Sequence, residues 1–167
     1  MQTDLNTIKY LSKRNQKENN RFKEDVKSPK ISDKKLDSTV HDFYSSICAQ
    51  INCKNCANCC ITISPILKHD DINRISRILK MKTGDFIDKY LYRDEDDDLV
   101  FKSAPCPFLK DNLCMIYDER PEDCKSYPHL DKKHIKSRLV NIMNNYPICP
   151  IVFNVVENLK TNIEHLY

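Results

Sequence analysis

With 167 residues, 40% of them hydrophobic and 31% charged, the chain has room for one domain of ordinary size and a core that is thin for its length, which excludes a large multidomain enzyme. A formal charge of +3 lies too close to balance to argue for nucleic acid, and no apolar run approaches the length that crosses a membrane. Nine cysteines are the most unusual feature, and in so small a domain they point to a metal or to redox chemistry as a further source of stability.

Residues 1–35 are rich in Lys, Asn, Glu, Asp and Ser, and Leu5, Ile8, Leu11 and Phe22 are scattered so that they make no sustained face. That composition predicts a mobile polar tail. Met1-Gln2-Thr3-Asp4-Leu5-Asn6 has neither the basic nor the apolar region of a secretory signal, so the expected location is the cytoplasm. There thiols stay reduced, and clustered cysteines bind metal or do redox chemistry rather than form a disulfide framework.

The domain itself is expected over residues 36–167. Val40, Phe43, Tyr44, Ile47 and Ile51 recur at helical spacing and predict an amphipathic helix that leads into a block of cysteines, with Cys48 reading as core. Ile72, Ile75, Ile78 and Leu79 predict a second helix; Gly84 breaks it, a position assigned to backbone geometry, and a short third helix is expected over 85–91. Asp94 to Asp98 form a charged turn before a strand at Leu99–Phe101; the run lacks the Gly and terminal Glu of an EF-hand loop and reads as a solvated hairpin tip.

Phe108 to Tyr117 read as a tight hairpin around Asp111 and Asn112, and Arg120-Pro121 as a helix start with Pro121 in the first turn. His134 to Asn144 fit strand or helix. Ile151, Val152, Val155, Val156, Leu159 and Ile163 predict an amphipathic C-terminal helix. The fold class expected from these elements is a small α+β domain stabilised by metal, with helices around a cysteine cluster and a short β-hairpin.

Cys53-Lys54-Asn55-Cys56-Ala57-Asn58-Cys59-Cys60 sets three cysteines at three-residue spacing and a fourth beside the last. A CxxC pair lets two thiolates turn onto one ion while the intervening backbone amides donate to sulfur, and extending it builds three converging ligands. Cys59 and Cys60, being adjacent, do not readily face one metal in extended chain, so one of them serves another site or packs in the core. Cys106, Cys114, Cys124 and Cys149 supply further sulfurs, and both two four-cysteine sites and one cluster ringed by other thiols remain open.

The spacing of Cys53, Cys56 and Cys59 follows the first part of the bacterial ferredoxin run, with Cys106-Pro107 or Cys149-Pro150 as the distant cysteine followed by proline. This favours an iron-sulfur cluster, possessed by a protein of redox or protein-modifying function. Zinc is the alternative, as a closed structural site in an interaction module without catalysis. Thiol-disulfide exchange through Cys53 and Cys56 ranks last, since it does not require the other cysteines. Whether there is turnover, and which protein is partner or substrate, stays open. His129, five residues beyond Cys124, is a lesser ligand candidate, and Lys54, Arg120 and Lys125 are placed to offset thiolate charge.

The ordered series of CxxCxxCC at 53–60, Cys106-Pro107-Phe108-Leu109, Cys114-Met115-Ile116-Tyr117, Arg120-Pro121-Glu122-Asp123-Cys124 followed by Tyr127-Pro128, and Cys149 resembles the CxxCxxCC zinc- or iron-chelating family, also called YkgJ-like cysteine cluster proteins. The resemblance runs from about residue 50 to 150 and implies metal ligands at Cys53, Cys56, Cys59, Cys60, Cys106, Cys114, Cys124 and Cys149; Cys48 lies outside the pattern. Family members often carry Gly where this chain has Ala57, so a turn of positive φ there is open to Asn58 instead. They also carry Phe where it has Tyr127, a mild departure. A related group, the flagellin lysine methylases, is associated with an iron-sulfur cluster, and this chain shows no separate donor-binding domain of the kind such a methylase needs.

Overall fold

A computed structural model describes residues 1–167 as two compact units, one made of residues 1–52 and 128–167 and the other of residues 53–127. The fold class is α+β: helices dominate, with two short antiparallel hairpins. No single helix is long and apolar enough to cross a membrane.

The first unit is helical. It holds α1 (Leu5–Arg14), α2 (Gln16–Lys27), α3 (Asp33–Cys48), α9 (Leu139–Asn145) and α10 (Pro150–Thr161). Pro150 opens α10, where its missing N–H costs nothing, and Ile151, Val152, Phe153, Val155, Val156 and Leu159 are all buried as α10 packs against α3. The segment from His134 resolves as a turn followed by α9; the Asp37 carboxylate accepts the His134 and Ile135 N–H groups at 2.8 and 2.9 Å and holds that turn.

Residues 5–27, expected to lie in a mobile tail, instead form two helices with Ile8, Phe22 and Val26 buried. The buried stripe of α2 is Asn19, Phe22 and Val26, a helical period hidden because one member is polar. The Asp4 carboxylate caps α1 by accepting the Thr7 N–H at 2.7 Å. Gln2 is tied to α10 by two bonds, its N–H to Asn154 Oδ1 and its carbonyl to Asn154 Nδ2. The boundaries therefore fall after residues 52 and 127 rather than after 35.

The second unit carries α4 (Cys53–Cys56), α5 (Asn58–Thr62), α6 (His69–Ile78), α7 (Thr83–Tyr90), a hairpin of β1 (Leu91–Arg93) with β2 (Leu99–Phe101), a hairpin of β3 (Leu109–Lys110) with β4 (Leu113–Cys114), and α8 (Glu122–Ser126). Its core gathers Leu67, Ile72, Ile75, Phe86, Leu91, Phe101, Phe108 and Ile116. Phe108 is the hub: its ring stacks on Phe86 at 6.4 Å, meets Phe101 edge-on at 5.6 Å and lies 5.1 Å from Tyr90. The acidic run is the tip of the β1–β2 hairpin, where Asp94 Oδ1 accepts the Asp96 and Asp98 N–H groups and Arg93 pairs with Asp97 at 3.1 Å.

Gly84 does not serve the backbone geometry expected of it. It lies inside α7 at negative φ, and a Cβ there would meet nothing within 4 Å. The left-handed position falls on Lys80, at φ 54°, where the Met81 N–H closes back on the Ser76 carbonyl at 2.9 Å to end α6. Lys80→Gly should therefore stabilise the protein by about 1 kcal/mol, and Gly84→Ala by about 0.5 kcal/mol, since each residue gains the backbone preference its site asks for. Urea midpoints of the two variants check this; a loss of stability in Lys80→Gly would contradict it.

Candidate metal centre

Cys60 sits on α5, which starts abruptly. Ala57, not Asn58, takes the left-handed conformation at φ 49° and ψ 8°, and this break separates the CxxC of α4 from the Cys59-Cys60 pair of α5. A non-glycine residue held there costs about 1 kcal/mol. The Ala57 N–H donates to the Cys53 carbonyl at 3.1 Å and so closes α4.

Cys106 opens a turn whose Leu109 N–H returns to the Cys106 carbonyl at 3.0 Å, with Pro107 setting φ at its second position. The Phe108 and Leu109 N–H groups also donate to the Cys106 sulfur. Because Phe108 is the hub of the core, packing holds this sulfur in place. The Cys106 N–H donates to the Cys60 carbonyl at 2.8 Å, which sets the two cysteines side by side along the backbone.

Cys114 is on β4, directly across from Leu109, behind a two-residue turn in which Asp111 and Asn112 both have positive φ, as tight hairpins require. The Ile116 N–H donates to the Cys114 sulfur. Cys124 is carried by α8. The Asp123 carboxylate accepts the Ile66 N–H at 3.2 Å, and the Glu122 N–H at the start of α8 donates to Asp71 at 3.0 Å.

These four cysteines feel one another. A hydrogen bond from Cys59 brings the Cys60 thiol down to about 7 against the opposing effect of burial. Burial pushes Cys106 up to about 11, helped by the neighbouring Cys60 and Cys114. Burial pushes Cys124 up to about 12, helped by Cys60, Cys106, Asp123 and Cys114. Burial also raises Cys114, with Cys60 adding to the rise and Arg120 opposing it.

One thiolate is thus easily held, and further ones are resisted by burial and by repulsion from the first. A cation among the sulfurs removes both objections, so the donor set fits a thiophilic ion. No three Cys, His, Asp or Glu side chains stand as a finished cage, and binding an ion requires the sulfurs to draw in around it.

The Tyr117 ring has Lys54 Nζ 4.4 Å and the Arg120 guanidinium 3.9 Å from its centre, which ties α4 to the segment between Cys114 and Cys124. Cys53 is exposed and Cys56 half-buried on α4. Cys149 is buried at the start of α10 in the other unit, and Cys48 ends α3 there. His129 also belongs to that unit, where its carbonyl accepts Arg138 Nη1 at 2.7 Å.

The residues that sequence reasoning missed are Asp71 and Arg74 of α6. Asp71 is 1% exposed and Arg74 pairs with it at 2.7 Å. The signal available was weak: an acidic residue in the first turn of a helix, which reads as a helix-start preference.

The segment from 52 to 149 matches the family model described as "CxxCxxCC: Putative zinc- or iron-chelating domain". The chain belongs to this family of cysteine-cluster domains. No curated protein and no solved structure matches it.

Proposed function

We propose that the protein is a cytoplasmic iron-sulfur protein whose cluster is held by Cys60, Cys106, Cys114 and Cys124, with Cys53, Cys56, Cys59 and Cys149 as the remaining cysteines of the family's set. What supports this reading is the backbone geometry that draws the segments together: the Cys106 N–H donates to the Cys60 carbonyl at 2.8 Å, Cys114 stands across from Leu109 in the hairpin that follows Cys106, and Cys106 and Cys114 already accept backbone N–H bonds. Such bonds offset thiolate charge and tune the reduction potential of thiolate-bound metal. When bound, a cluster supplies one-electron transfer, which suits a redox role or modification of a protein side chain. The chain's own residues hold the sulfurs, donate to them and place Lys54 and Arg120 nearby to balance their charge.

Zinc is the second reading, favoured by the small size of the 53–127 unit, whose core gains most from a closed four-thiolate site. In that case the domain is a structural module that recruits a protein partner without catalysis. Protein purified anaerobically without an affinity-metal step separates the two. A brown sample bleached by dithionite, with matching iron and acid-labile sulfide, is expected. A colourless sample with stoichiometric zinc would replace the cluster by the structural site, and metal-free protein with oxidised thiols would overturn both.

A further inference from the structure

Asp71 and Arg74 stand in α6, outside every cysteine segment, yet their side chains close on the loop that leads to Cys124. Asp71 divides its carboxylate. Oδ2 accepts the Lys68 N–H at 3.0 Å and caps its own helix, which any first-turn acid can do. Oδ1 accepts the Glu122 N–H at 3.0 Å and Arg74 Nη2 at 2.7 Å, which α6 itself does not need.

Arg74 in turn donates to the Arg120 carbonyl at 3.0 Å and faces Glu119 at 3.2 Å and Glu122 at 3.7 Å. The pair therefore grips the backbone on both sides of Pro121, at the carbonyl of Arg120 and the N–H of Glu122. Pro121 has no N–H of its own and a fixed φ, so these two bonds set the direction in which α8 departs. Two residues after Glu122 comes Cys124. The Asp71 carboxylate is buried and satisfied by three donors, which makes it a rigid anchor rather than a surface contact.

We infer that Asp71 and Arg74 are positioning residues for Cys124, acting through the Arg120–Glu122 backbone to aim its sulfur at the other three. This rests on the ligand set proposed above. A purely structural role would cost stability wherever the metal is held; a positioning role is specific to one sulfur.

The test uses the full reduced chain, titrated anaerobically with cobalt(II) alone and followed by the thiolate-to-cobalt absorption. Asp71→Ala should weaken cobalt binding about ten- to a hundredfold, the range for groups that orient metal ligands. It should also lower the charge-transfer band by about one quarter, as Cys124→Ser does when one of four thiolates is lost. Asp71→Ala added to Cys124→Ser should cost nothing more, whereas added to Cys106→Ser it should weaken binding further.

Asp71→Asn, which keeps an acceptor for the Glu122 N–H, should recover part of the affinity. If Asp71→Ala fails to fold, Arg74→Gln keeps the helix cap while releasing the Arg120 carbonyl, and the same non-additivity with Cys124→Ser is expected. Additive losses with Cys124→Ser, or an unchanged band and affinity in folded Asp71→Ala, would overturn the positioning role while leaving the ligand set standing. Cobalt binding untouched by Cys124→Ser would overturn the ligand set and this role with it.

Discussion

Serine at any one of positions 60, 106, 114 or 124 is expected to weaken metal binding by about a hundredfold, while Cys48→Ser leaves metal content unchanged. A serine hydroxyl does not ionise near neutral pH, so only three of the four thiolates are left to hold the ion. Since binding energy to the folded state is folding energy, a hundredfold loss also removes about 2.7 kcal/mol from the stability of the loaded protein at a fixed metal concentration well above its dissociation constant.

Metal content per chain and the melting temperature of loaded protein measure both effects. Cys53→Ser and Cys56→Ser carry a separate expectation: the metal held by the four clustered cysteines should stay. Loss of all metal in those two variants, with retention in Cys60→Ser, would show that the wrong four sulfurs have been grouped.

The reduced, metal-free protein should be most stable near pH 9 as far as its cysteines are concerned. Cys60 has its thiol lowered to about 7 from an ordinary value of 9.0, so its stabilising contribution is present above 9 and fades as the pH falls through 7. Cys106 and Cys124 are displaced the other way, to about 11 and about 12, so their contribution is present below 9 and is lost as the pH rises toward those values. Cys114 adds to the alkaline loss, its thiol being raised as well.

Melting temperatures of apo protein from pH 7 to 11 should rise and then fall, and the double variant Cys106→Ser/Cys124→Ser should flatten the alkaline limb. A fall of equal depth in the double variant would assign it to other groups. The loaded protein should behave differently at the acid end, where protons compete with the ion for all four sulfurs and metal is released.

The candidate ligands are legible in the sequence because metal chemistry writes itself into short spacings. CxxCxxCC, Cys-Pro-Phe-Leu and Arg-Pro-x-x-Cys are each local, and the tight hairpin around Asp111 and Asn112 follows from residues that tolerate positive φ. The helices α6 and α10 were legible from their apolar period, as was the solvated tip at Asp94 to Asp98.

The N-terminal helices were not. Their buried stripe is interrupted by Asn19, and their anchoring depends on Gln2 meeting Asn154, 152 residues away in the chain. Gly84 misled in the opposite direction: it was the one glycine, and the expectation of unusual backbone was placed on it. Yet the seven residues of positive φ, Ala57 and Lys80 among them, are all something other than glycine. Local preference was overruled at Ala57 and Lys80 by the hydrogen bonds that close the helices there, the Ala57 N–H to the Cys53 carbonyl and the Met81 N–H to the Ser76 carbonyl.

The α+β class, the family and the inventory of sulfurs follow from the chain read residue by residue, because periodicity and ligand spacing are properties of neighbouring residues. It takes the folded chain to show that the Cys106 N–H meets the Cys60 carbonyl and that Asp71 grips the backbone before Cys124. Those pairings join segments some 50 residues apart, and which of them meet depends on how the core around Phe108 packs, a sum over many contacts that no short stretch of chain encodes.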